Sequence, residues 1–188
     1  MNDKIDQTNI YNKAQFPGEI IMINHDLEIL PALALLEGEP LIGFDTETKP
    51  SFKKGEVYQV SLLQLATPHH ALLFRLHSLS DFSAIAKFFE NESVLKIGVA
   101  IRDDIKGLQK IFPFAPKGFV ELSDLAKSCH LKNFGLKGMT EEVLTLTLSK
   151  RAKLSNWESS VLKNDQKIYA ATDAWIGREI YIALTQNK

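Results

Sequence analysis

The stretch Leu41-Ile42-Gly43-Phe44-Asp45-Thr46-Glu47-Thr48 decides the fold, because an apolar run passes directly into two acidic residues. A short continuous apolar segment is typical of a strand that is covered on both faces. Side chains alternate along a strand, so Asp45 and Glu47 share one face about 7 Å apart. Two carboxylates at the end of a buried strand repel each other and lose hydration, and a divalent cation is the simplest group that offsets both costs. The alternative is that Asp45 caps a turn and Glu47 is solvated.

The composition is that of an ordinary soluble globular protein. The chain has 188 residues, of which 45% are hydrophobic and 24% charged, so one domain with a sizeable core is expected. No apolar run reaches membrane-spanning length, and the polar N-terminus lacks a signal-peptide core. The single cysteine, Cys129, leaves no partner for an internal disulfide and fits a reducing cytoplasm, where we expect the protein to reside. The net charge of -1 supplies no global field for nucleic acid, so local bases or metals must hold any phosphate.

Hydrophobic periodicity predicts strands first and then helices interleaved with strands, which indicates an α/β or α+β sheet with helices packed on it. Residues 1–15 are polar and without period, and we predict a flexible arm there, followed by a single domain over residues 16–188. Asp26 is the candidate cap of the first helix, whose apolar positions are Leu27, Leu30, Leu33, Ala34 and Leu36. The second to fourth strands predict a meander. The predicted strands are 19–24, 41–46, 57–66, 70–75 and 94–99, and the predicted helices are 27–36, 81–90, 101–112, 122–130, 136–144 and 165–184.

A third acid, Asp104, lies in the first turn of the helix predicted over residues 101–112. At about 100° per residue it falls roughly 60° from the centre of the buried stripe, whereas Asp103 falls on the opposite side and should be solvated. The alternative for Asp104 is an ordinary acid near a helix N-terminus, where a carboxylate is tolerated. The stripe consists of Ile101, Ile105, Leu108 and Phe112.

A fourth acid, Asp173, lies on the last helix one turn after Tyr169, so the two share a face. The same face continues through Ile176 and Ile180, which makes it a core stripe. Aspartate is seldom fully buried unless it is paired or binds a metal. The alternatives are a core tyrosine with its hydroxyl at the edge, and a buried salt bridge from Asp173 to a base such as Arg178.

Taken together, the four acids predict a common metal site. A carboxylate cluster that binds two divalent ions suits in-line phosphoryl chemistry, because the ions neutralise phosphate and lower the pKa of a bound water. The acids are Asp45, Glu47, Asp104 and Asp173.

Three ordered motifs resemble those of the DEDDy 3′–5′ exonucleases, a family that includes ribonuclease D and the exonuclease domain of the Werner syndrome helicase. They are Phe44-Asp45-Thr46-Glu47, Ile97-Gly98-Val99-Ala100-Ile101-Arg102-Asp103-Asp104, and Gln166-Lys167-Ile168-Tyr169-Ala170-Ala171-Thr172-Asp173-Ala174. The linking segments Val60–Ala66 and Leu154–Trp157 also match, so the resemblance covers residues 41–184. The sister group carries a histidine at the position of Ile168, which favours the tyrosine branch.

The resemblance implies an α/β, RNase H-like fold with a mixed central sheet and helices on both faces. It implies a two-metal 3′–5′ exonuclease that uses Mg²⁺ or Mn²⁺ and releases nucleoside 5′-monophosphates from DNA or RNA 3′ ends. By the same resemblance, Asp45, Glu47 and Asp173 would hold the first ion, and Asp45 and Asp104 the second. Tyr169 would orient the attacking water, since an ordinary tyrosine pKa near 10 makes it a poor base at pH 7.

Contacts to nucleic acid are predicted at aromatic and basic residues near the motifs. Phe52, Lys53 and Lys54 follow the first motif, and Phe134 is a candidate for stacking on a terminal base. The alternative is ordinary surface solvation. Two other functions stay open: a catalytically silent nucleic-acid-binding or scaffolding domain of the same fold, and an endonuclease. The further basic candidates are Lys49, Lys132, Lys137, Lys150, Arg151 and Lys153.

Overall fold

A six-stranded mixed sheet forms the centre of the molecule in a computed structural model that describes residues 11–53, 55–149, 152 and 154–186. The strands are β1 Asn12–Lys13, β2 Glu19–Ile23, β3 Leu41–Thr48, β4 Val60–Ala66, β5 His70–Arg75, β6 Leu95–Gly98, β7 Phe119–Glu121 and β8 Leu146–Thr147. The strand order in this sheet is β2-β5-β4-β3-β6-β7, and β4 is antiparallel to both of its neighbours, while the β2–β5, β3–β6 and β6–β7 pairs are parallel. The predicted meander of β3, β4 and β5 is therefore confirmed.

Helices cover both faces of this sheet, as the resemblance implied. The helices are α1 Ile29–Ala34, α2 Ser83–Phe89, α3 Ile101–Gln109, α4 Leu122–Ser128, α5 Leu136–Leu144 and α6 Asn164–Gln186, with 3₁₀ turns at Asp26–Glu28 and Leu76–Ser78. Successive side chains of β3 point to opposite faces of the sheet: Ile42 and Phe44 pack into a core with α1, α2 and α3, whereas Gly43 lies under α6. The α6 face is completed by α4 and α5. None of the helices within the described residues combines the length and apolar character needed to cross a bilayer.

The first helix differs from the prediction. The chain enters it through the 3₁₀ turn, whose tighter winding rotates the face that follows, so Leu27 and Leu30 are 91% and 69% exposed while Ile29 is buried. Asp26 caps no helix there; its carboxylate accepts hydrogen bonds from the Ser80 amide at 2.9 Å and the Ser80 hydroxyl at 2.5 Å. The expected cap and the expected burial of Leu27, Leu30 and Ala34 were wrong, whereas Leu36 is buried and Leu33 packs against the core.

One strand begins later than predicted, and another was not predicted. The strand predicted from Val57 begins only at Val60, and Val57 is 85% exposed. The three-residue strand β7 was missed, because Phe119–Glu121 is too short to show a period of two and leads directly into α4.

The N-terminal segment contacts the domain before residue 16. Asn12–Lys13 pair in parallel with Leu146–Thr147, and the Phe16 amide donates to the Thr172 hydroxyl oxygen of α6 at 3.0 Å. Residues 1–10 lie outside the described part of the chain. The division into a flexible arm and a domain beginning at residue 16 stays a prediction, and these contacts place ordered pairing inside the predicted arm.

Candidate active site

Close contact between β3 and α6 brings the first and third motifs together. Gly43 makes this possible: a Cβ at residue 43 would lie 2.0 Å from the carbonyl oxygen of Ala174, so no other residue type fits without moving the helix. Asp45 follows Gly43 on the same face of the strand, and Asp173 precedes Ala174 on the helix. The backbone contact therefore places the two carboxylates opposite each other.

Three of the four predicted metal ligands converge on one point. Carboxylate oxygens of Asp45, Glu47 and Asp173 all lie within 4.8 Å of one another. They line a cavity of about 290 Å³ between the carboxyl ends of β3 and β6 and the N-terminus of α5. Asp173 itself is only 9% exposed. The full lining of the cavity is Phe44, Asp45, Thr46, Glu47, Gly98, Val99, Leu136, Tyr169, Asp173 and Gly177.

The electrostatics of this cluster fit a bound cation. Burial raises the pKa of the Asp45 carboxyl well above 3.8, and the negative charges of Asp173, Glu47 and Asp104 raise it further. The Thr46 amide, which donates to Asp45 Oδ1 at 2.9 Å, is the contact that lowers it. Crowded hard oxygen donors of this kind match the ligand preference of Mg²⁺ or Mn²⁺, so the residues present fit a divalent ion.

Tyr169 stands beside the cluster as the third motif predicts. Its hydroxyl donates a hydrogen bond to the Asp173 side chain, and its ring packs 6.1 Å from the buried ring of Trp157. Burial first, and then the charges of Asp173 and Glu47, raise the Tyr169 pKa far above 10. In the metal-free protein the tyrosine therefore keeps its proton at neutral pH.

The salt-bridge alternative for Asp173 is wrong with respect to Arg178. The Arg178 guanidinium donates to the Leu41 carbonyl oxygen at 3.1 Å and pairs with Glu179 at 2.7 Å and Glu39 at 3.9 Å. It is therefore engaged with partners other than the acid cluster.

Asp104 lies next to the cluster rather than within it. The Thr46 hydroxyl donates to Asp104 Oδ1 at 2.5 Å, and the charge of Asp104 contributes to the raised pKa of Asp45. Burial raises the pKa of Asp104 itself to about 6, although the Thr46 hydrogen bond opposes the shift. Asp103 is solvated as predicted, with 92% of its side chain exposed.

Comparison with known proteins identifies the family of the chain. The family model described as 3′–5′ exonuclease matches residues 20–187. The chain belongs to the 3′–5′ exonuclease family. It is 34% identical over 182 residues to the bifunctional 3′–5′ exonuclease/ATP-dependent helicase WRN of Mus musculus, an alignment that covers 89% of this chain and 13% of that protein. Across the curated relatives compared, the chain spans 13% to 53% of their length.

Solved structures of the 3′–5′ exonuclease family share the fold. The Aedes aegypti Nibbler EXO domain superposes with a TM-score of 0.82 at 25% identity, covering 92% of this chain and 91% of that one. Escherichia coli RNase D superposes with a TM-score of 0.79 at 23% identity, covering 89% of this chain and 46% of that one. The RNase H-like fold and the resemblance to ribonuclease D and the Werner exonuclease are thereby confirmed.

Phe52, Lys53 and Phe134, which are predicted to contact nucleic acid, lie on the surface of this exonuclease domain. The Phe52 side chain is 80% exposed, and Lys53 is exposed with a loose 3.9 Å ion pair to Glu56. Phe134 is 42% exposed with the Lys127 ammonium 5.9 Å from its ring centre. These exposures are compatible with contact to nucleic acid and with simple solvation. Lys54, Lys150, Arg151 and Lys153 lie outside the described residues.

Other basic candidates already have acidic partners. Lys49 pairs with Glu158 at 3.2 Å, and Lys137 pairs with Glu141 at 3.3 Å. A phosphate at either lysine would have to compete with a neighbouring carboxylate.

Several residues that shape the site were not identified from the sequence. Gly43 could have been found, because a glycine inside an otherwise apolar strand often marks a close backbone approach. By strand alternation, Thr46 lies on the opposite face of β3 from Asp45 and Glu47. Nothing in the sequence indicates that its hydroxyl reaches Asp104. Leu136 comes to the cavity from α5, more than 80 residues from the first motif along the sequence.

Proposed function

We propose that this domain is a metal-dependent 3′–5′ exonuclease that hydrolyses phosphodiester bonds at the 3′ end of nucleic acid and releases nucleoside 5′-monophosphates. The observation that carries the proposal is the convergence of Asp45, Glu47 and Asp173 within 4.8 Å in a cavity that Tyr169 also lines. Membership of the 3′–5′ exonuclease family supports it. The substrate, the metal and the release of mononucleotides belong to the proposal.

The acids would hold two divalent ions, Mg²⁺ or Mn²⁺. Asp45, Glu47 and Asp173 would supply oxygen donors for one ion, and Asp45 with the neighbouring Asp104 would supply donors for the other. When bound, such ions lower the pKa of a water nucleophile and neutralise charge on the phosphate and the leaving oxygen.

Tyr169 would orient the attacking water and would not deprotonate it. Because its hydroxyl hydrogen is donated to Asp173, the lone pairs of the hydroxyl oxygen remain to accept a hydrogen bond from water. A tyrosine whose pKa is raised this far cannot serve as a general base near neutral pH. The hydrogen bond to Asp173 and the packing on Trp157 fix its orientation.

The exposed aromatic and basic residues would hold the 3′ strand outside the cavity. Phe52 and Phe134 offer faces for base stacking, and Lys53 and Lys54 offer charge to phosphate. The substrate is a 3′ end of DNA or RNA. We also propose a cytoplasmic location, on the ground that the sequence carries one cysteine.

Digestion of end-labelled DNA and RNA oligonucleotides, with and without a chelator, tests the proposal. The purified protein should shorten linear strands stepwise from the 3′ end in Mg²⁺ or Mn²⁺, release mononucleotides, and stop when EDTA is added. A circular strand should remain intact, and cutting of the circle would indicate an endonuclease. Absence of any hydrolysis by a protein that binds Mn²⁺ would indicate the silent binding domain.

Asp45→Asn and Asp103→Asn form a matched pair for this assay. The first removes a carboxylate of the cluster and should abolish hydrolysis. The second removes an acid whose side chain is 92% exposed and should leave the rate unchanged. Equal activity of the two variants would refute the assignment of the site.

A further inference from the structure

Glu121 joins the N-termini of two helices. It is the last residue of β7, directly before α4, and it lies in register with Gly98 of β6. Its Oε1 accepts from the Ala100 amide at 3.0 Å, the Ser123 amide at 3.2 Å and the Ser123 hydroxyl at 2.8 Å. Its Oε2 accepts from the Ile101 amide at 3.0 Å. One carboxylate thus caps both α4, which follows it, and α3, which begins 20 residues earlier.

The start of α3 depends on this cap because the helix has no cap of its own. The N-cap residue is Ala100, whose side chain cannot accept a hydrogen bond, and its backbone is left-handed with φ of 61°. A residue with a Cβ seldom adopts that conformation, and the first amides of a helix lack intrahelical partners. The Glu121 carboxylate satisfies two of these amides in the strained turn itself.

Asp104 lies within one turn of that cap. It is the fourth residue of α3, and its carboxylate is held by the Thr46 hydroxyl at 2.5 Å. The distance between Asp104 and Asp45 is therefore controlled from two ends, by Glu121 at the helix start and by Thr46 on β3. A shift of the helix start would carry Asp104 away from the cluster.

We infer that Glu121 is a positioning residue of the active site, which sets the place of Asp104 relative to the Asp45, Glu47 and Asp173 cluster by capping α3 from a neighbouring strand. Glu121 touches neither substrate nor metal in this arrangement. The inference rests on the proposed function for its catalytic consequence, but its effect on metal binding can be measured independently of catalysis.

Asp124→Asn is the matched control. Asp124 also links α3 and α4, through Arg102 at 3.3 Å, but this ion pair is exposed and does not touch the α3 amides. Glu121→Ala removes all four accepted hydrogen bonds. Glu121→Gln keeps the chain length and one accepting oxygen, but it sets an amide NH₂ against one of the donors.

The test compares wild type, Glu121→Ala, Glu121→Gln and Asp124→Asn by calorimetric Mn²⁺ titration, by hydrolysis of an oligonucleotide over a range of Mn²⁺ concentrations, and by thermal unfolding. Partners that orient metal ligands typically contribute 10–100-fold to metal affinity or activity. We expect Glu121→Ala to raise the Mn²⁺ concentration that gives half-maximal rate by about 10–100-fold. In the calorimetric titration, the affinity of one class of Mn²⁺ site should fall by about the same factor. For Glu121→Gln, both effects on Mn²⁺ should be intermediate between those of Glu121→Ala and wild type. The KM for the oligonucleotide at saturating Mn²⁺ should hardly change in either variant. Asp124→Asn should behave as wild type.

A double-mutant cycle with Thr46→Val sharpens the result. If Glu121 and Thr46 both act by placing Asp104, their effects on Mn²⁺ affinity should not add. If both Glu121 variants, measured below their unfolding temperatures, bind Mn²⁺ with the same affinity as wild type, the inference is wrong even if their stability is lowered. An effect of equal size in Asp124→Asn would overturn it too.

The two proposals fail in different ways. If wild type binds Mn²⁺ but hydrolyses no oligonucleotide, the proposed function is wrong, and the titrations still decide the role of Glu121. If wild type is an active exonuclease and the Glu121 variants titrate normally, only the positioning role is wrong.

Discussion

Replacing Gly43 by alanine should separate the first and third motifs while leaving every acid in the chain. The added Cβ would lie 2.0 Å from the Ala174 carbonyl oxygen, whereas Cβ atoms in proteins essentially never come within 3.0 Å of a heavy atom outside their own and the adjacent residues. The obstacle is helix backbone rather than a flexible side chain, so α6 has to withdraw by about 1 Å, and Asp173 moves with it. A misplacement of about 1 Å at a reacting centre costs on the order of 100-fold in rate. Overpacking of this kind also costs about 1–3 kcal/mol of unfolding free energy.

The assay is the initial rate on an end-labelled oligonucleotide at saturating Mn²⁺, with thermal unfolding measured in parallel. For a domain of this size, each kcal/mol lost lowers Tm by about 2–4 °C. Gly135→Ala is the control for the substitution itself, because no atom lies within 4 Å of its added Cβ and its φ of -91° suits alanine. A Gly43→Ala protein that is folded and as active as Gly135→Ala would refute the argument that this glycine sets the spacing of the acids.

Three further outcomes are expected. Asp45→Asn should raise Tm in chelator while abolishing hydrolysis, because it removes a carboxyl whose charge is made unfavourable by burial and by the neighbouring charges of Asp173, Glu47 and Asp104; an unchanged or lower Tm would contradict this repulsion. In chelator, the unfolding free energy should fall as the pH rises from 3.8 to about 6, because the folded state keeps the Asp104 proton over this range and the unfolded state does not. Denaturant melts at several pH values should show this slope in wild type and a shallower one in Asp104→Asn. Tyr169→Phe should lower kcat more than it changes KM, and the wild-type rate profile should show no alkaline limb from Tyr169 up to about pH 10.

The acid cluster could be predicted from the sequence because each part has a local signature. Asp45 and Glu47 share a face by strand alternation, and Asp173 lies in line with core residues at helical spacing. Neither pattern indicates that β3 and α6 contact each other. That conclusion came from the ordered motifs, and the contact at Gly43 supplies its physical reason.

The surroundings of Asp104 could be predicted only in part from local sequence patterns. Its angle on the helix placed it at the core boundary, which the structure confirms, and Asp103 is solvated as expected. The hydrogen bond from Thr46 and the cap from Glu121 depend on which strands are neighbours and in which register. These long-range pairings leave no periodic trace in the sequence.

The same reason explains the missed elements. β1 and β8 are two residues each and lie more than 130 positions apart, so neither can show a period. In the first helix, the prediction failed at the start of the stripe, because a 3₁₀ turn precedes α1 and exposes Leu27 and Leu30.

The short pairing of Asn12–Lys13 with Leu146–Thr147 has a practical consequence for anyone who shortens or tags this protein. The Phe16 amide is bonded to Thr172, the residue next to Asp173, and the Phe16 ring packs 6.0 Å from Trp175. Deletion up to residue 15 would remove the strand that leads into this anchor. Recombinant versions should therefore start no later than residue 11, and an affinity tag at the front should be joined through a spacer that leaves Asn12–Lys13 paired with Leu146–Thr147 and Phe16 in contact with α6.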